Sequence, residues 1–162
     1  MDTINDRAEY SADMKYRYLF ERRWEKPTRP DRDMIVWVLL NPGTGDTDGK
    51  HRPTLDRCIK WSQQWGYAGL TIVNLFALRS TDPKVLKTAR DPIGPKNDAT
   101  IRRAARQASR IVVAWGDKGS LLGRGKKVAA TLSKPYCLDV TKNGEPRHPL
   151  YIPADTKLRR YA

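Results

Sequence analysis

The sequence predicts a single α/β domain in which a mainly parallel sheet of four strands is covered by helices on both faces. Four short apolar runs stand at 34–40, 70–76, 110–115 and 135–140, and amphipathic helical patterns separate them. Near-continuous apolar runs of this length are typical of parallel strands that are buried on both faces. Right-handed crossovers between such strands give a three-layer α/β/α arrangement.

The segments before the first apolar run are more polar. Residues 1–15 are polar and mixed in charge, so we expect a flexible N-terminal segment there, followed by one domain at 16–162. The aromatic-rich stretch 16–20 favours an edge strand. A loop containing two prolines, at 26–33, leads into the first apolar run.

Three helices are predicted between the strands. Apolar residues recur at helical spacing in 54–65 and 97–108, and more weakly in 120–132, where two glycines weaken the first turn. Gly66 marks the end of the first helix, and Asn97 is a possible cap for the second.

The charge of the chain is strongly positive. Lys and Arg total 31 against 18 Asp and Glu, which gives a formal net charge of +13 and an isoelectric point near 10.0. Such an excess favours an anionic partner through counterion release and electrostatic steering, and nucleic acid is the commonest partner of this kind. We therefore expect DNA as the partner. The alternative is a basic, well-solvated surface that binds nothing in particular.

The number of cysteines predicts a reducing compartment, and the lengths of the apolar runs predict a chain that does not cross a membrane. The chain has two cysteines, Cys58 and Cys137, which do not make a disulfide framework. No signal peptide is predicted, and no apolar run approaches the ~18 residues of a membrane helix. We expect a cytoplasmic protein without a membrane partner. The cysteines and His51 and His148 lack paired ligand spacing, so neither a metal nor a cofactor is expected.

Each predicted strand carries a polar residue, a glycine or both at its end or shortly after it. Because the carboxyl ends of parallel strands share one edge of a sheet, where ligands bind in such folds, we expect these groups to line one crevice. The four strand-end motifs are Asn41-Pro42-Gly43, Asn74-Leu75-Phe76, Trp115-Gly116-Asp117-Lys118 and Arg147-His148-Pro149-Leu150-Tyr151.

These motifs, in this order, resemble those of the uracil-DNA glycosylase superfamily, in its mismatch-specific branch. The resemblance extends over residues 34 to 151. It implies a glycosylase-like fold and a hydrolase that flips a pyrimidine base out of DNA and cleaves its N-glycosidic bond. The base could be uracil, a mismatched pyrimidine or a modified base. The sequence is also similar to a family of small bacterial and phage proteins without an assigned function.

The resemblance implies roles for particular residues. Asn74 reads the Watson–Crick edge of the base, because an amide both donates and accepts. His148 donates a hydrogen bond to a base carbonyl as negative charge develops on it. Asn41 stands where more active branches carry an aspartate. An amide orients water but is a poor base, so Asp46 could substitute for it. The expected base-binding residues are Asn74, Pro42, Gly43 and Phe76.

The resemblance also implies contacts to the DNA strand. Leu150 and Tyr151 follow His148 and Pro149, where the superfamily usually carries a serine. Either side chain could fill the gap that a flipped base leaves, or could lie in the core. With only two cysteines, the four-cysteine iron–sulfur cluster of some branches is excluded. The expected DNA-contacting residues are Trp115, Gly116, Lys118, Arg124, Arg147, Leu150 and Tyr151.

Two functions of different classes remain open. The first is a DNA glycosylase, and the second is a non-catalytic protein that recognises a base or a nucleotide with the same pocket. Cleavage of a free nucleotide is a third possibility, which the +13 charge disfavours because a small ligand needs no broad basic surface. Asn74 could instead tie a strand end to a loop, and His148 could be an ordinary surface or core histidine.

Overall fold

The computed structural model of the chain describes residues 5–25, 33–45 and 52–161. Within these ranges the chain forms one sheet of seven strands. The strands are β1 (Asn5–Tyr10), β2 (Arg17–Arg23), β3 (Met34–Leu39), β4 (Gly69–Asn74), β5 (Arg110–Val113), β6 (Tyr136–Cys137) and β7 (Arg159–Arg160).

Helices connect the parallel strands. The described α-helices are α1 (Pro53–Gln64), α2 (Val85–Thr88), α3 (Asn97–Gln107) and α4 (Arg124–Thr131). Two 3₁₀ segments, Asp117–Gly123 and Pro149–Tyr151, follow the third and fourth parallel strands. No described helix combines the length and the apolar character that a membrane span requires.

The spatial order of the strands is β1-β2-β4-β3-β5-β6-β7. Strands β4, β3, β5 and β6 are parallel, and they correspond to the four apolar runs. Antiparallel strands extend this centre on both sides, because β2 pairs with β4 and β7 pairs with β6. The expectation of four strands is therefore corrected to seven. Of the added strands, β2 corresponds to the strand expected at 16–20, whereas β1 is polar and β7 is only two residues long, so these two lack the apolar pattern that marks the centre.

The N-terminal region differs from the expectation of a flexible segment. Residues 5–10 form β1, which pairs antiparallel with β2 and is joined to it by ion pairs such as Arg22 to Asp6, at 2.7 Å. Strand β2 was expected at an edge, but it lies between β1 and β4.

The sheet separates two apolar cores. On β3, Val36 and Val38 face the core that contains α3 and α4, whereas Ile35 and Trp37 face the core that contains α1. This alternation places helices on both faces of the sheet. Fully buried thiols lie on both sides, and burial raises the pKa of Cys58 and of Cys137.

Three tryptophans stack where α1 packs on the sheet. Trp37 of β3 has its ring centroid 6.1 Å from that of Trp61 and 5.9 Å from that of Trp65. The indole nitrogen of Trp37 donates a 3.0 Å hydrogen bond to Ser62. These contacts fix the position of α1 over the parallel strands, and with it the position of the helix N-terminus at their carboxyl edge.

Helix boundaries follow the predicted breakers with two differences. Gly66, with φ +87°, ends α1 as expected. The predicted helix at 120–132 is α-helical only from Arg124, because Leu122 and Gly123 both have a positive φ that interrupts it. Asn97 is the first residue of α3 rather than its cap, and it is buried.

Candidate functional site

A cavity of about 360 Å³ opens at the carboxyl edge of the parallel strands. Its wall combines the loop 41–45 after β3, the first turn of α1, the ends of β3 and β4, and residues 80–81. We call it the asparagine cavity, because Asn41 and Asn74 both lie on its wall. Leu39 pairs with Asn74 in the parallel register of β3 and β4, which brings the two strand ends together.

Asn74 is the most deeply buried polar group of the asparagine cavity. Its side chain is 1% exposed, and its Nδ2 has no hydrogen-bond partner among the described residues. A buried donor without a partner costs about 1–3 kcal/mol. A ligand whose acceptor atom reached this nitrogen would remove this cost.

Asn41 uses its amide nitrogen on the protein itself. Its Nδ2 lies 3.0 Å from the carbonyl oxygen of Ser80, 3.2 Å from that of Pro42 and 3.4 Å from that of Leu78. The backbone N–H of Ser80 donates to Pro42 in turn, at 2.9 Å. These bonds fix the loop after β3 and leave Oδ1 as the part of the Asn41 side chain that can bind water or a ligand.

Two buried side chains hold the backbone beside Asn74. Asn97 Nδ2 donates to the carbonyl oxygens of Asn74 and Leu75, at 2.9 and 3.0 Å, and Arg124 Nε donates to Leu75 at 2.8 Å. Arg124 is 4% exposed and forms an ion pair with Asp98. It is therefore an internal residue, and its predicted contact with DNA phosphate is corrected.

Sequence reasoning missed this role of Asn97. The residue lies at the start of the stripe that Ile101 and Ala104 continue along α3. A polar residue at the end of an apolar stripe was the available signal, because it must find partners in the interior.

Two residues of the third strand-end motif, Trp115 and Gly116, lie in the interior of the protein. Trp115 is buried, and its indole nitrogen donates a 2.6 Å hydrogen bond to the buried carboxylate of Glu145. Phe76 is fully buried in the core on the side of α3 and α4. The expectations that Trp115 contacts DNA and that Phe76 contacts a base are therefore corrected. Gly116 is also buried, whereas Lys118 is exposed.

His148 lies against the third strand end. A Cβ at Gly116 would be 3.5 Å from the Cβ of His148, and the N–H of Gly116 donates to Pro146 at 2.8 Å. The Nδ1 atom of His148 accepts from the N–H of Leu150 at 3.3 Å. Burial lowers the pKa of His148, so its ring is neutral at pH 7 and carries its proton on Nε2.

The predicted residues thus form two groups at one edge of the sheet. Asn41, Asn74, Pro42 and Gly43 line the asparagine cavity, and His148 does not. No carboxylate lies on the described part of the cavity wall. Asp46 lies outside the described residues.

The last motif presents apolar side chains to solvent. Tyr151 is 75% exposed, and Leu150 is also exposed. The ring of Tyr151 lies 5.9 Å from that of His148. Arg147 is partly buried and pairs with Asp139 at 3.4 Å. The side chains of Leu150 and Tyr151 are therefore accessible to a macromolecule.

Two arginines that sequence reasoning did not select also line the asparagine cavity. Arg17 of β2 is 5% exposed, and Arg52 stands directly before α1. Their guanidinium carbons lie 5.3 and 4.6 Å from the ring centroid of Phe20, so both are held by cation–π contacts. Neither belongs to a motif, and only the three-dimensional structure brings them to the cavity.

Comparison with known proteins identifies a family. Residues 17–150 match the family described as Protein of unknown function (DUF1643). The chain belongs to the DUF1643 family. No curated protein and no solved structure matches it. The uracil-DNA glycosylase superfamily is not among the matches, so that resemblance stays a prediction from the motifs.

The DUF1643 match covers the described residues of the candidate site. It begins at Arg17 and ends at Leu150, so it includes the described wall of the asparagine cavity as well as His148. It leaves out β1, β7 and Tyr151. The cavity and the neighbouring histidine therefore belong to the part of the chain that defines the family.

Proposed function

We propose that this DUF1643 protein binds a pyrimidine base flipped out of DNA in the asparagine cavity and hydrolyses its N-glycosidic bond. The unpaired, buried amide of Asn74 carries the proposal. A side-chain amide donates through Nδ2 and accepts through Oδ1, as recognition of the carbonyl and ring N–H of a uracil-like base requires. The cavity volume of about 360 Å³ lies within the usual range for small-ligand pockets.

Hydrolysis joins a water oxygen to C1′ of the sugar, releases one proton of that water to solvent, and breaks the bond between C1′ and the base. The electron pair of that bond passes to the base, which leaves as an anion and takes a proton from solvent. A donor aimed at a base carbonyl stabilises this charge. His148 supplies such a donor in its neutral ring, because Nδ1 is engaged by the N–H of Leu150 and Nε2 bears the proton.

The described cavity wall has few groups that could orient or activate the attacking water. Asn41 offers Oδ1 to orient water, but its amide cannot take up a proton as a carboxylate does. Because no carboxylate lies on the described cavity wall, we expect slow turnover. The +13 charge and the exposed side chains of Lys118, Leu150 and Tyr151 support DNA as the carrier of the base.

A second function, base recognition without cleavage, is favoured by one observation. The Asn41 nitrogen is bound to backbone carbonyls, and His148 stands outside the cavity wall. The residues proposed for base recognition thus line one cavity together with Asn41, whereas His148, the proposed donor to the leaving base, is not on the described part of that wall.

Cleavage of labelled oligonucleotides tests the proposal. Single and double strands that carry uracil, hydroxymethyluracil, mismatched thymine or a phage-type modified base are incubated with protein, and abasic sites are read as alkali-labile breaks. We expect breaks with the native chain and none with Asn74→Ala or His148→Ala. The matched control is Asn143→Ala, because Asn143 is exposed in a turn.

The same panel separates the two functions. Binding that requires Asn74 without any break would establish recognition alone and overturn hydrolysis. Breaks that persist in both variants would overturn the proposed site.

A further inference from the structure

We infer that the asparagine cavity contains an anion subsite at the N-terminus of α1, which takes the phosphate group of the nucleotide whose base binds at Asn74. The inference rests on the proposed base binding and extends it, because it makes the ligand a nucleoside phosphate rather than a base alone. The phosphate could belong to a free nucleotide or to a nucleic-acid strand, and both present the same chemistry.

The first turn of α1 forms one wall of the cavity. Arg52 is the N-cap residue, Pro53 opens the helix, and the side chain of Arg52 makes no capping hydrogen bond to it. Thr54 and Leu55 lie on the cavity wall, and the first backbone N–H that bonds within the helix is that of Asp56, to Arg52 at 3.0 Å. The N–H groups of Thr54 and Leu55 therefore have no acceptor within the helix, and the helix dipole is positive at this end. Such an end suits an anion.

The charges on the cavity wall have the same sign. Arg17 and Arg52 both line the cavity, whereas no acidic residue does so in the described part of the chain. Asp56 also lies in the first turn of α1, but it lines a different groove. Guanidinium groups bind phosphate through paired, charge-assisted hydrogen bonds.

An independent observation indicates that a ligand enters this cavity. Asn74 is almost fully buried on the same wall, with an amide donor that no described residue accepts. The unpaired amide nitrogen suits a hydrogen-bond acceptor such as a base carbonyl, and the helix end suits an anion. A cavity that contains both the Asn74 amide and the N-terminus of α1 fits a molecule that has a base at one end and a phosphate at the other.

Calorimetric titration of the full chain tests the subsite. The probes are deoxyuridine, deoxyuridine monophosphate, inorganic phosphate and a deoxyuridine trinucleotide, at low ionic strength. We expect the monophosphate to bind at least about tenfold more tightly than deoxyuridine, because charge-assisted hydrogen bonds are added. Arg52→Gln should reduce this ratio towards one. Arg102→Gln removes an exposed arginine on α3 and serves as the charge-matched control.

The outcomes distinguish this inference from the proposed function. Equal affinities for deoxyuridine and both phosphorylated probes, unchanged by Arg52→Gln, would overturn the subsite and leave base recognition standing. Phosphate binding that Arg52→Gln abolishes, without binding of deoxyuridine and without further gain for its monophosphate, would support the subsite and overturn base recognition. A gain that only the trinucleotide shows, and that Arg52→Gln removes, would assign the phosphate to a strand.

Discussion

The side-chain amide of Asn97, at the start of α3, donates a 2.9 Å hydrogen bond to the backbone carbonyl of Asn74, at the end of β4. Asn97 itself does not line the asparagine cavity. Its hydrogen bonds hold the backbone carbonyls of Asn74 and Leu75, and they thereby fix the position of the Asn74 side chain in the cavity wall. Loss of this hydrogen bond should affect both stability and ligand binding.

Substitution of Asn97 should lower the free energy of unfolding, by more for aspartate than for alanine. Asn97→Ala leaves two buried carbonyls with fewer donors, and we expect it to lower the free energy of unfolding by about 1–3 kcal/mol. Asn97→Asp should cost more, because a carboxylate would face those carbonyls. Denaturant unfolding measures both, with Asn143→Ala as the control. An aspartate variant as stable as the native chain would contradict the assigned hydrogen bonds.

Gly116→Ala should be destabilising through the backbone alone. Gly116 has φ +76° and ψ −177°, a region that is essentially reserved for glycine, and a side chain there costs about 1–3 kcal/mol. Space is not the cause, because the nearest atom to a Cβ would be that of His148 at 3.5 Å. Gly43→Ala is the matched control, since nothing lies within 4 Å of a Cβ there. Equal melting temperatures for the two variants would contradict this account.

His148 should make the stability of the fold depend on pH in one direction. Burial lowers its pKa below the usual 6.5. As the pH falls through 6.5, the unfolded chain binds a proton that the folded chain does not bind, so the free energy of unfolding decreases until the folded pKa is reached. His148→Gln lacks this titration. Unfolding of both proteins at about pH 7.5 and pH 5.5 should show a larger decrease for the native chain. A larger decrease for the variant would reverse the sign of the shift.

Tyr151→Ala should weaken DNA binding without weakening the fold. The ring is 75% exposed, so its loss should change the free energy of unfolding by less than about 0.5 kcal/mol. If the ring stacks on a base, its loss should cost about 1–3 kcal/mol in affinity for a strand. Fluorescence anisotropy with a labelled oligonucleotide measures this, and Leu122→Ala, at another exposed apolar side chain, is the control. Equal affinities for the two variants would remove Tyr151 from the proposed DNA interface.

Both thiols should be inert in the folded protein. Cys58 and Cys137 are buried, and burial raises their pKa values, which suppresses the reactive thiolate. Alkylation followed by mass spectrometry should find both cysteines unmodified in buffer and both modified in denaturant. Rapid labelling of either in buffer would show that the core around it opens readily.

The sequence predicted the centre of the sheet because its strands carry an unmistakable pattern. The apolar runs that became β3 and β4 are buried on both faces, so they contain almost no polar residue before Asn74. Strand β7 is exposed and has no such pattern; it exists because β6 offers it an edge. Pairing of this kind is decided by neighbours in space and leaves little trace in the strand itself.

The site was predictable only where a residue lies at the end of a predicted strand or directly after it. Asn41 and Asn74 were found in this way, and the structure brings them to one cavity. The roles of Arg124 and Trp115 were not predictable, because a residue has the same letter in the sequence whether its side chain is buried or exposed. Their burial depends on partners distant along the chain, Leu75 for Arg124 and Glu145 for Trp115. Arg17 and Arg52 were missed for the same reason.

The stacked indoles of Trp37, Trp61 and Trp65 give the chain an optical reporter of its own. Two of them belong to or directly follow α1, whose first turn lines the asparagine cavity, while the third is fixed on β3. Any tilt or sliding of α1 on the sheet changes the overlap of the three rings, and with it their ultraviolet emission. A ligand that shifts α1 when it binds in the cavity should therefore change the intrinsic fluorescence of the native protein, so that its binding could be followed without a label and in real time.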